Sequence, residues 1–210
     1  MIRVLIADDH AIIRTGIKQL LADTDDMIAA GEAADGQTVL DLLSHETYDV
    51  VVLDLSMPGR GGLDTLKQIK ALYPDVAVLV LSMYPEEYYA TRALRAGAAG
   101  YLTKQSATDE LIEAIRRVGS GRKYITESLA EKLADEMNLS SGKELHHKLS
   151  DRELIVMQRL AIGFTATQIA AELSLSVKTI STYRDRILQK MQMKTNAELI
   201  QYVLSHNLLE

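Results

Sequence analysis

The chain has 210 residues, 47% of them hydrophobic, enough for one or two domains with cores of their own. It has no cysteine, which excludes a disulfide framework, a thiolate zinc site and a thiol nucleophile. The net charge of −6 speaks weakly against nucleic acid, but residues 148–210 carry eight Lys/Arg against six Asp/Glu and the rest fifteen against twenty-three, so the two parts are expected to have different partners.

The start, Met1-Ile2-Arg3-Val4-Leu5-Ile6-Ala7-Asp8, runs straight into a strand pattern, and no long apolar span follows. A soluble cytoplasmic protein with no membrane partner is expected. Residues 3–7, 27–33, 50–53, 76–81 and 100–102 read as strands. Residues 11–21, 37–43, 62–73, 85–96 and 108–118 read as helices, with apolar residues at helical spacing. This alternation predicts a parallel sheet with helices on both faces. Val50-Val51-Val52-Leu53 is a short apolar run ending on a carboxylate, Asp54. Such a run fits a strand buried on both faces, which puts Asp54 at its carboxyl end, and Met57-Pro58-Gly59 turns the chain away.

Gly119-Ser120-Gly121 closes the series. Residues 126–137 predict one more amphipathic helix, and the polar stretch 138–148 (NLSSGKELHHK) reads as a linker with His146 and His147 solvated. The domains expected are therefore 1–122, a helix and linker over 123–147, and an all-helical domain over 148–210. In the last, Ser150 with Glu153 and Thr165 with Gln168 are capping boxes, opening helices over 151–162 and 165–173. Ser176 is the expected N-cap of a helix over 177–191, and a fourth runs over 196–204. Two short helices joined by a tight turn form the helix-turn-helix pattern.

Asp8 and Asp9 end the first strand as Asp54 ends the third, and in a doubly wound sheet these ends meet in one mouth. Three carboxylates there repel one another unless a cation shares the site. With only oxygen ligands on offer, that cation is Mg²⁺ rather than a soft metal. Ser82 ends the fourth strand and Lys104 follows the fifth. A carboxylate nucleophile, Mg²⁺ and a phosphoryl-binding Lys are what phosphoryl transfer to Asp requires.

Asp8-Asp9, Asp54 with Met57-Pro58-Gly59, Ser82, Ala96-Gly97-Ala98, and Tyr101 three residues before Lys104 resemble the receiver domain of bacterial two-component response regulators. The resemblance implies a flavodoxin-like five-stranded sheet of order 2-1-3-4-5 and Asp54 as phospho-acceptor. It implies Mg²⁺ on Asp9, Asp54 and the Ser56 carbonyl, with Asp8 acting through water. Ser82 and Lys104 would contact phosphoryl oxygens and Tyr101 would be the rotameric switch. Gln105 stands where many receivers have Pro.

Leu149-Ser150, Arg152-Glu153, Gly163, Ile169-Ala170, Leu173, Ser176, Lys178-Thr179-Ile180, Ile187 and Lys190-Met191 resemble the C-terminal domain of NarL/FixJ (LuxR-type) regulators. Ala166-Thr167-Gln168 replaces the Asn-Lys-Glu or Asn-Arg-Glu usual there, and Tyr183 replaces His. At about 100° per residue Ile180, Tyr183, Ile187 and Met191 share a core face. Lys178, Ser181, Thr182, Asp185 and Gln189 face the other way and are the major-groove candidates, with Thr179 beside them at the helix start. Asp185 either accepts from a cytosine amine or solvates the exposed face. Lys178, Arg186, Lys190 and Lys194 are the phosphate candidates. Arg184, on the core side, either snorkels or pairs with Glu153.

The reading is a transcriptional regulator that binds double-stranded DNA. A sensor histidine kinase or a small phosphodonor phosphorylates it, it forms a homodimer on phosphorylation, and RNA polymerase is an implied partner. An Asp-nucleophile phosphohydrolase is the rival, but it commonly needs an Asp two residues after the nucleophile, where Ser56 stands; no turnover of an external substrate is expected. A phosphorylation-independent DNA-binding regulator is the third reading.

Overall fold

Branched apolar residues at the strand positions pair into one parallel five-stranded sheet which, numbered along the chain, has the order 2-1-3-4-5 that the receiver resemblance implies. The computed structural model describes residues 1–58, 61–131, 145–173, 175–206 and 208–209. Its first unit, Met1–Met137, carries β1 Ile2–Ala7, α1 Ala11–Ala22, β2 Met27–Ala33, α2 Gly36–His45, β3 Val50–Leu53, α3 Gly62–Leu72, β4 Ala77–Ser82, α4 Glu86–Arg95, β5 Gly100–Thr103 and α5 Ala107–Gly119. Val4, Ile6, Val50, Val52, Leu79 and Leu81 point to one side of the sheet and pack with Ile17 and Leu21 of α1 and Leu111, Ile115 and Val118 of α5. The alternating residues Leu5, Val51, Leu53, Val78 and Val80 point the other way and are equally buried. Burial on both faces is why these strands read as unbroken apolar runs.

The register sets the site. Ala7 lies beside Leu53, Leu53 beside Val80, and Ser82 beside Thr103. The residues following these positions therefore emerge at one rim. Gly62 lets α3 start close under that rim: a Cβ there would stand 2.1 Å from the Asp54 carbonyl oxygen and 2.4 Å from Leu55 Cα. α2 begins one residue earlier than expected, because the Asp35 carboxylate accepts the amides of Gln37 and Thr38.

The second unit, Asn138–Glu210, carries a 3₁₀ turn at Leu145–Lys148 and then α6 Asp151–Ala161, α7 Ala166–Glu172, α8 Val177–Met191 and α9 Asn196–Ser205. Both capping boxes form, and Ser176 Oγ accepts the Thr179 amide at 3.0 Å. Leu154, Val156, Ile169, Ile180, Ile187 and Val203 are among the buried residues.

One expectation fails here. His146 is not solvated: it is 7% exposed, and its Nδ1 lies 3.1 Å from the Tyr202 hydroxyl, in an aromatic group with Tyr202 and His206. The polar composition of the stretch concealed a contact made across 56 residues. The helix expected over 126–137 is present at 127–131; its remainder and linker residues 138–144 lie outside the described residues. Among the described residues no helix is long and apolar enough to cross a membrane.

Candidate functional site

Asp8 and Asp54 leave neighbouring strands at the same level, and the sheet fixes both backbones: Asp54 N–H donates to Ala7 O at 2.8 Å and Asp8 N–H to Ala33 O at 3.1 Å. Their side chains are almost fully buried, and Lys104 closes the gap. Its Nζ lies 2.6 Å from Asp8 Oδ2 and 2.9 Å from Asp54 Oδ2. The Lys104 backbone is placed by its own amide, which donates to Ser82 O at 2.8 Å. Asp54 Oδ1 accepts the Ser56 amide at 3.0 Å. Burial pushes the Asp54 carboxyl above the usual carboxylate range, with Lys104 pulling against it. Burial works to lower Lys104, but Asp54 and Asp8 outweigh it and hold the ammonium above its ordinary value.

Asp8, Asp9 and Asp54 each offer an oxygen to one small volume, and His10 adds a nitrogen; the four ligand atoms lie within 4.8 Å of one another. The acidic mouth is thus a cluster able to hold a metal. The expectation of an all-oxygen donor set needs correcting, since His10 Nδ1 sits 2.8 Å from Asp9 Oδ1 and 3.2 Å from Asp8 Oδ1. His10 follows the acidic pair directly, so its adjacency was a usable signal. The turn into α1 brings its ring back over the carboxylates.

Ser82 is fully buried at the end of β4, and its Oγ accepts the Tyr84 amide at 3.1 Å. Tyr101 is also fully buried and donates its hydroxyl to Tyr84 O at 2.7 Å. Burial pushes this phenol well above its ordinary range, and the Ser82 hydroxyl opposes the shift. Tyr84 itself stacks on Tyr89 of α4 with ring centroids 4.6 Å apart. The structure therefore brings Asp8, Asp9, Asp54 and Lys104 into one constellation, with Ser56 bonded to it and Ser82 and Tyr101 joined through Tyr84.

On α8 the buried side is Ile180, Ile187, Leu188 and Met191. Tyr183 is only half-buried, and Leu188, left out of the sequence reading, takes a core position. Lys178, Ser181, Thr182, Asp185, Arg186 and Gln189 are exposed, as is Lys194 just beyond the helix. Thr179 is half-buried, and its hydroxyl is engaged with the Ser176 cap at 2.8 Å. Arg184 does not pair with Glu153; its Nε donates to Asn196 Oδ1 at 2.8 Å, and its Nη1 lies 3.2 Å from Asp185. Glu153 is taken by Lys190 instead, at 2.6 Å. The reach is geometric: Lys190 lies in the last turn of α8, against the start of α6. Val177, exposed beside Lys178 and not singled out by the sequence reading, extends the surface at the helix start.

Comparison with known proteins agrees with both halves. Residues 4–116 match the response regulator receiver domain, and residues 147–203 match the bacterial regulatory proteins of the luxR family. The chain is 36% identical to the response regulator GacA of Pseudomonas aeruginosa, covering 100% of this chain and 99% of that protein. It is 36% identical to the oxygen regulatory protein NreC of Staphylococcus carnosus, over 99% of each. Among solved structures it is similar to RcsB of Salmonella enterica serovar Typhimurium bound to the rprA promoter in the presence of the phosphomimetic BeF₃⁻. That match has a TM-score of 0.64 and 29% identity, over 98% of this chain and 100% of the other. A second structure, of two RcsB dimers on two parallel DNAs, matches at a TM-score of 0.59 and 30% identity, over 97% of this chain and 98% of that one. An aspartate mouth at the rim of a 2-1-3-4-5 sheet, followed by a helix-turn-helix unit, therefore belongs to the two-component response regulators of the NarL/FixJ type: this chain is a transcription regulator with a receiver domain and a LuxR-type DNA-binding domain.

Proposed function

We propose that Asp54 accepts a phosphoryl group from a sensor histidine kinase or a small phosphodonor, and that this phosphorylation controls binding of double-stranded DNA by α8. The observation that carries the reading is Lys104 Nζ within ion-pair distance of both Asp54 and Asp8, in a buried mouth at the strand ends. A fixed cation beside the nucleophile stabilises charge that develops on a phosphoryl group in transfer. An oxygen of Asp54 attacks phosphorus as the bond to the donor breaks. Ser82 and Lys104 then hold the phosphoryl oxygens.

The clustered carboxylates fit Mg²⁺, a hard cation that takes oxygen ligands. Asp9, Asp54 and the Ser56 carbonyl would ligate it, with Asp8 contributing through water. When bound, it supplies positive charge to the phosphoryl oxygens. The acceptor is the protein's own side chain, so no external substrate is turned over.

Tyr101 is the switch in this reading. Phosphorylation draws Ser82 toward the phosphoryl group, the Ser82–Tyr84–Tyr101 group repacks, and the face built from α4, β5 and α5 changes. Homodimerisation and release of α8 follow, and RNA polymerase is the downstream partner. Such a regulator works in the cytoplasm, beside its DNA. Lys178, Arg186 and Lys194 supply phosphate contacts; Ser181, Thr182, Asp185 and Gln189 face the base edges, with Thr179 at the helix start. Lys190 serves phosphate only at the cost of its bond to Glu153.

The reading is tested by mass spectrometry after incubation with Mg²⁺ and acetyl phosphate. One phosphoryl group is expected on the parent chain and none on Asp54→Asn. Equal labelling of the two would refute the assignment.

A further inference from the structure

The chain does not leave the receiver at the end of α5. Lys123 Nζ donates to Ala98 O at 2.6 Å, and the Tyr124 amide donates to Ala99 O at 2.8 Å. Tyr124 thereby forms a parallel bridge with Gly100 on the free edge of β5. The approach is close: a Cβ on Gly100 would stand 2.9 Å from the Tyr124 Cβ. The Tyr124 hydroxyl donates to Glu110 of α5 at 2.7 Å. Two residues on, the Thr126 hydroxyl donates to the Glu86 carboxylate in the first turn of α4. The same oxygen accepts the Leu129 amide at 3.2 Å, capping helical residues 127–131, and Leu129 is 1% exposed. The segment is thus tied to β5, α5 and α4 by separate contacts, at the point where the chain leaves for the second unit.

Its attachment to α4 lies next to the Ser82–Tyr84–Tyr101 group. Tyr84 gives its amide to Ser82 Oγ and its carbonyl to the Tyr101 hydroxyl, and Glu86 follows two residues later. Glu86 is also close enough to Tyr101 for its charge to act on that phenol. The amide bonded to the Ser82 hydroxyl and the carboxylate that holds Thr126 therefore belong to residues only two apart in the chain.

We propose that residues 122–131 are a strap latched by Thr126 to Glu86, and that phosphorylation of Asp54 opens the latch and frees the start of the linker. This rests on the phospho-acceptor reading above. When Ser82 turns its hydroxyl toward a phosphoryl oxygen, Oγ leaves the Tyr84 amide. The loop before α4 then shifts, and Glu86 is carried away from Thr126. The strap loses its charge-assisted bond and lifts from the β5 edge. The linker lengthens, and β5 becomes available to the partner receiver. While the strap is seated, the edge of β5 at Gly100 is already occupied.

Amide hydrogen exchange on the full chain tests this, with and without Mg²⁺ and acetyl phosphate, phosphoryl uptake being followed by mass. The readout is the Tyr124 amide, whose bond to Ala99 does not involve Thr126. Loss of one charge-assisted hydrogen bond changes an opening equilibrium by about tenfold. Phosphorylation is expected to speed exchange at Tyr124 by about that factor. Thr126→Val and Glu86→Ala should each give the fast rate without phosphorylation and remove the increment, whereas Thr126→Ser should retain the parent behaviour. Glu86→Ala leaves the cap to Leu129 intact, so it separates the latch from the cap. Phosphoryl uptake with unchanged or slower exchange at Tyr124 overturns the strap and leaves the phospho-acceptor reading standing. Fast exchange in Thr126→Val with none in Glu86→Ala also overturns it, because the cap alone then accounts for the effect. No phosphoryl uptake overturns both.

Discussion

At Asp54 burial and charge pull in opposite directions, and Lys104 is what makes an ionised carboxylate tolerable there. A similar balance occurs at Glu153 in the second unit. Burial would raise this carboxyl, but the Lys190 ammonium and the Ser150 amide outweigh it and hold it below the usual glutamate range. A depressed carboxylate stabilises the fold above its unfolded pKa, about 4.3, and the contribution is lost as pH falls through the lower folded value. Glu153→Gln is therefore expected to destabilise the Asn138–Glu210 unit by about 1–2 kcal/mol at neutral pH, kept modest because solvent reaches Lys190. Urea unfolding from pH 7 down to pH ~3 should show the difference between parent and variant shrinking below about pH 4. A difference constant with pH would mean that the ionised pair is not its source.

At the scale of the element, α8 divides into faces that helical period alone almost recovers. Its spacing of apolar residues put Ile180, Ile187 and Met191 inside. It could not say that Lys190 folds back to the α6 cap, because a flexible side chain goes where a partner stands. That partner comes from another helix. The exposed face carries two kinds of group with different expected behaviour. Lys178→Ala should weaken DNA binding across all sequences and reduce the slope of log affinity against log salt by about one. Thr182→Ala should instead change the ranking among DNA sites. Fluorescence anisotropy at several salt concentrations, on at least two duplexes, checks both; the same pattern in both variants would refute the division of the face. The caps were legible for a local reason. Ser150, Thr165 and Ser176 each bond an amide three residues on, so the whole motif lies within a few positions of sequence.

On the scale of the whole molecule, the boundary of the second unit moves toward the N-terminus of Lys148. Leu145–Lys148 is a turn whose His146 contacts Tyr202, and the Leu149 amide donates to His146 O at 3.2 Å. A fragment of residues 148–210 is therefore expected to be less stable than one of residues 138–210, by about 1–2 kcal/mol. Parallel urea titrations measure this, and coincident midpoints would show that the His146 contact adds nothing.

The strand order was implied by the resemblance to receiver domains, but the alternation of strands and helices, the acidic mouth and the helix-turn-helix were readable from the residues themselves. Each rests on a local pattern: apolar runs that end on Asp8, Asp54 and Ser82, a lysine one residue past the last strand, and capping residues at fixed offsets. Parallel strands have rules of connection strict enough to carry those ends to one rim. What only the tertiary structure decided were contacts between residues far apart in sequence. Lys190 meets Glu153, His146 meets Tyr202, and Thr126 meets Glu86 across 37, 56 and 40 residues. A polar side chain in a polar stretch carries no periodicity that marks it as buried or paired. Its partner is chosen by the packing of whole elements, which is settled by the apolar core and not by the side chain itself.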